Sequence, residues 1–108
     1  MKKKFAAHQV IVSNGNHYKQ YVVEIENKAV IRFFPLKEEV AFTEWIGGTI
    51  ILSPYNELIK EIKFPVKIEY LMTILTEVCD HQSSLYAWHI SAEDTLEGVV
   101  HSVRQLQT

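Results

Sequence analysis

The residues with the widest chemical range in this chain are its five histidines, His8, His17, His81, His89 and His101, since imidazole can ligate a metal, shuttle a proton or activate a nucleophile. Their spacing supplies no local template for any of these roles. No two stand as H-x-H or H-x-x-x-H, the separations that aim two imidazoles at one ion, and a lone Cys79 cannot build a multi-thiolate cage. The sequence therefore predicts no metal centre and no cofactor. Serine nucleophile motifs are missing as well, because neither G-x-S-x-G nor S-x-x-K occurs. Gly47-Gly48 lacks the wider glycine pattern of a phosphate loop. Glu38-Glu39 and Glu44 offer paired carboxylates, but consecutive Glu residues in a loop are ordinarily solvated. Asp80-His81 falls where a helix ends, and carbonyl-rich helix termini favour a cationic imidazole without any catalysis.

His89 stands apart from the other four. It interrupts the apolar, aromatic run Leu85 to Ile90 beside Tyr86 and Trp88, and a buried imidazole there needs hydrogen-bond partners. Trp45 and Trp88 each carry a large apolar ring with one N–H, suited to anchoring a core or, with a ring face open, to holding a ligand. Trp45, Trp88 and His89 are thus the candidate ligand-binding residues. A concave pocket bordered by all three would point to a ligand-binding protein or a small enzyme. Full burial of all three would point to a non-enzymatic binding or assembly module, which the missing catalytic constellation favours.

The elements that must position these residues are legible from turn chemistry. Val10 to Ser13 is a β-branched run closed by Asn14-Gly15, and the partner strand is expected from His17 to Glu26. Asn27-Lys28 then reverses the chain into Ala29 to Phe34, and Pro35 ends that strand because it cannot donate to a ladder. Gly47-Gly48 predicts a further hairpin, with Thr49 to Ser53 as its second strand. Helical periodicity follows. Ser53-Pro54 caps a short helix carrying Tyr55, Leu58, Ile59 and Ile62; a second runs from Ile68 through Leu71, Met72, Leu75, Val78 and Cys79. After a strand over Leu85 to Ile90, Ser91 caps a C-terminal helix with the stripe Leu96, Val99, Val100, Val103 and Leu106. These elements predict one α+β domain over residues 1–108, an antiparallel sheet of about five strands covered by two or three helices.

Composition bounds the rest. With 108 residues, 47% hydrophobic and 22% charged, the chain resembles soluble globular domains and can bury a core without staples. No apolar run approaches a membrane span, Met1-Lys2-Lys3-Lys4 is not followed by a signal-peptide core, and one cysteine fits a reducing compartment, so a cytoplasmic setting is expected. A net charge of −2 argues against nucleic-acid binding. The charge is uneven, with seven Lys or Arg against two Glu in residues 1–37 and four against eleven acidic residues in 38–108. Complementary faces of this kind, together with the open edges of a short sheet, predict a homodimer.

The order strand, Asn14-Gly15 turn, strand, ENKAVIRFFPL and then EWIGGTIILSP resembles the small β-sandwich that flanks the barrel of amidohydrolase-type metal-dependent hydrolases. The resemblance covers residues 8–54. Such enzymes carry an H-x-H metal pair just after that point, whereas this chain continues Tyr55-Asn56-Glu57-Leu58. The resemblance implies the sandwich without its catalytic metal, and no site residue is transferred from it.

Overall fold

A computed structural model of the protein describes residues 2–12, 16–37, 42–54, 62–75, 84–91 and 95–107. Its first three strands lie where the sequence expects them, the Asn14-Gly15 turn itself falling outside the described residues. β1 (Lys2–Val12), β2 (His17–Glu26) and β3 (Ala29–Pro35) form an antiparallel meander, with Asn27 at φ +60° in the second reversal. The expected limits of β2 are those observed. β1 instead begins well before Val10, because Lys2 and Lys4 stand directly opposite Glu26 and Glu24, where cross-strand charge pairs favour an extended chain.

Beyond β3 the architecture departs from the expected α+β sheet. The chain crosses to the far side of β1, where β4 (Thr43–Trp45) and β5 (Thr49–Ser53) both pair with β1 in parallel. β7 (Tyr86–Ile90) then lies antiparallel to β5 and meets β3 at Ala29↔Tyr86. The order β1-β2-β3-β7-β5-β1 closes a five-stranded barrel. An odd number of strands cannot alternate direction all the way round, so closure requires a parallel neighbour, and β1·β5 provides it. Closure also satisfies the strand edges that an open sheet would leave unpaired.

The predicted Gly47-Gly48 hairpin is overturned by the same pairing, since β4 and β5 run in one direction along one partner. The pairs Ala6↔Trp45 and Gln9↔Thr49 match three steps on β1 with four on its neighbour, so the glycines form a bulge. Ile46 N–H donates to Ala6 O at 2.9 Å and Gln9 N–H to Gly48 O at 3.2 Å, carrying the ladder across it. Both glycines have positive φ, +64° and +62°, a conformation shared by turns and bulges, and the dipeptide alone does not distinguish them.

Phe5, Ala7, Val10, Val23, Ile25, Ile50, Leu52 and Ala87 fill the barrel, and Tyr18, Tyr21 and Phe33 pack against them with ring centroids 4.8–6.1 Å apart. A second core covers the outer face of β5 and β7. There Ile51, Trp88 and Ile90 meet Leu71 and Leu75 of α1 (Ile68–Leu75), with Ile62 and Val100. α1 is the single helix among the described residues, where two or three were expected. Its onset at Ile68 agrees with the periodic reading, but residues 76–80, Cys79 included, and residues 55–61 of the earlier expected helix lie outside the described residues.

The predicted C-terminal helix is replaced by strands. β6 (Val66–Lys67), β9 (Val99–Val100) and β8 (Thr95–Leu96) form a small sheet, and β10 (Arg104–Gln105) pairs with β7. Glu97 and Gly98, at φ +53° and +78°, make the two-residue reversal between β8 and β9. β-branched Val99, Val100 and Val103 then sit more readily in extended chain than in helix, although their spacing fits a helical stripe.

Candidate functional site

β3 covers only the start of β7, and β10 takes up the same edge where β3 leaves it. Arg104 stands opposite His89, Gln105 opposite Trp88, and Leu106 N–H donates to Ala87 O at 2.9 Å. The C-terminal segment thereby completes the barrel wall and carries a guanidinium to the imidazole.

On β7 the alternation of faces separates two of the predicted site residues. Ala87 faces the barrel interior and His89 follows it on that side, whereas Trp88 packs into the second core. His89 is 4% exposed and held from both ring nitrogens. Nε2 lies 3.0 Å from Gly47 O, and because a carbonyl only accepts, Nε2 carries the hydrogen. Nδ1 is then the acceptor for Arg104 Nε–H at 3.4 Å. An imidazole fixed in this way works as a buttress that orients Arg104, with neither nitrogen left poised as a general base.

Two clefts flank the glycine bulge. One, about 310 Å³, is lined by Ile46, His89, Ser91, Ser102, Val103 and Arg104. The other, about 350 Å³, includes His8, Gln9, Gly48, Thr49 and Ser91. Gly48 N–H donates to His8 Nδ1 at 3.1 Å, so His8 and His89 brace the bulge through its two glycines. His8 also meets Trp45, ring centroids 4.8 Å apart at an interplanar angle of 81°.

The three residues expected to share a pocket are therefore dispersed. His89 lines the first cleft, Trp88 is a core anchor on the opposite face of β7, and Trp45, half exposed at 50%, stands on β4 beside His8. Arg104, Ser91 and Ser102 were not singled out from sequence. Arg104 is the only arginine after residue 37, a weak signal, and the serines carry none beyond a proposed helix cap at Ser91.

The described ion pair lies elsewhere in the molecule: Arg32 Nε and Glu24 Oε1, 2.5 Å apart, join β2 and β3, with Arg32 also over the Phe34 ring at 4.9 Å. Among the described residues no three His, Cys, Asp or Glu side chains gather as metal ligands would. Glu38, Glu39 and the Asp80-His81 pair lie outside the described residues, while Glu44 is exposed on β4. No helix of the described residues is long and apolar enough to cross a membrane. No protein family, curated protein or solved structure matches this chain.

Proposed function

We propose that this chain is a small non-enzymatic binding module whose ligand occupies the cleft at the end of β7. The observation that carries this reading is the buried, doubly hydrogen-bonded His89 facing a concavity of about 310 Å³, at the small end of the range for small-molecule sites. His89 and Arg104 are held on the paired strands β7 and β10, and the Ile46 N–H bonded to Ala6 O ties a further wall to β1, so these parts of the cleft are preformed and binding to them requires little ordering. The test is an NMR fragment screen in which each hit is located by the resonances it moves. Hits that shift His89 and Val103 signals and displace one another support the reading. Hits confined to other surfaces, or none at all, overturn it.

Association into a homodimer belongs to the same proposal, favoured by a separate observation. β4 ends the strand path on its side of the sheet, and beside that edge Phe42 is 96% exposed and Trp45 half exposed. A cytoplasmic setting is proposed with it, supported by the single cysteine.

A further inference from the structure

We infer that the His89 cleft selects a small organic anion, a carboxylate or phosphate on a short apolar body, with Arg104 as the group that binds its charge. This rests on the reading of the cleft as a ligand site and adds the chemistry it recognises.

The inference starts from a guanidinium that meets no carboxylate among the described residues. Among the described residues lining the cleft none is acidic, and Arg104 is the only one of them with a permanent charge. The one ion pair among the described residues belongs to Arg32 and Glu24 on other strands. Arg104 is also aimed. Its Nε–H is engaged by His89 Nδ1, and the terminal NH₂ groups of the fork have no hydrogen-bond or carboxylate contact among the described residues. Fixing one edge of a planar guanidinium by a buried ring leaves the other edge oriented for two oxygens of a single anionic group.

The remaining walls fit the same ligand. Ser102 carries a hydroxyl able to donate to a further oxygen, and Ile46 and Val103 supply apolar surface for a short carbon body. His89 acts here as a positioning residue. Its Nε2–H is spent on Gly47 O, so it offers the ligand no proton and serves to set the direction of Arg104.

The experiment is an NMR titration of the full chain at constant ionic strength with sodium butyrate, inorganic phosphate and butyramide, the last matching butyrate in shape without its charge. The expected result is saturable movement of the Arg104, Ser102 and Val103 signals by butyrate, by phosphate or by both, with butyramide at least about tenfold weaker. The butyrate and phosphate arms show which oxyanion the site takes. Arg104→Gln, at an exposed position and checked for a wild-type urea curve, is expected to remove the preference for butyrate over butyramide. Equal binding of butyrate and butyramide by the wild type overturns anion selection while leaving a ligand cleft in place. Unchanged anion binding by Arg104→Gln, or no binding of either anion, overturns the inference outright.

Discussion

At Gly48 the backbone has no room for one more carbon. A Cβ built there falls 2.3 Å from Ile90 O and 3.2 Å from His89 Nε2, at a φ of +62° that side chains already disfavour. Gly98 provides the control, since its φ is +78° but nothing among the described residues lies within 4 Å of an added Cβ. Gly98→Ala is expected to cost only the left-handed backbone term, about 1 kcal/mol, whereas Gly48→Ala adds a clash with main chain that cannot rotate away. Urea denaturation of the two variants checks the ranking, and a Gly48→Ala no less stable than Gly98→Ala would show that β7 yields easily at Ile90. At this scale His89 was legible, because a polar ring in an apolar run must find partners wherever the chain folds. Its partners were not. Gly47 and Arg104 lie 42 and 15 residues away, and no spacing rule connects them to it.

Among the elements, β1 and β2 show how far alternation alone can be trusted. The inward positions of β1 are Phe5 and Ala7 before His8 but Val10 and Val12 after it; on β2, Ile25, Val23 and Tyr21 give way to Tyr18. Both strands lose one step of alternation at the same level, where Gln20 takes φ +53° and the pair His8↔Gln20 is missing from an otherwise constant register. The kink lies against the bulge of β4 and β5, which has no visible signature apart from its glycines. Helix α1 was legible through Leu75 because Leu71 and Leu75, one turn apart, both bury against the barrel. Leu71→Ala is expected to destabilise by about 2 to 5 kcal/mol and Tyr70→Ala, on the exposed side, by less than about 0.5 kcal/mol; matching losses in thermal or urea melts would place the wrong face of α1 on the core. The C-terminal stripe was read in the wrong conformation, and of its residues Val100 and Leu106 are buried while Val99 and Val103 are half-buried. Val100, on β9, packs beneath α1, and Leu106, just after β10, packs against the barrel interior. Val100→Asp, an unpaired charge in a fully buried position, is expected to abolish the cooperative unfolding transition. A wild-type melt would place that side chain in solvent.

For the molecule as a whole, local signals specified the β1–β3 meander, whereas barrel closure depends on pairings between distant segments that leave no local mark. The same holds for association. If Phe42 and Trp45 beside β4 form a self-complementary contact, sedimentation equilibrium at low micromolar concentration gives twice the chain mass of 12.5 kDa at both low and high salt. Trp45→Arg then returns the monomer, and a wild-type monomer at both salts removes the dimer. The barrel wall itself is uneven. Among the described residues β1 and β5 are joined at four registered positions and β5 and β7 at five, but β3 and β7 share one bridge, Ala29↔Tyr86, reinforced by Val30 N–H to Leu85 O at 2.8 Å. That junction is where the closed wall is expected to open first. Local opening there breaks few hydrogen bonds and buries little surface on reclosing, so the Val30 amide is expected to exchange with deuterium well ahead of Ile51 and Ile25. Because β10 continues the same junction, occupation of the cleft at Arg104 would be felt as slower exchange at Val30 and Leu106, a fastening of the wall by whatever the cleft holds.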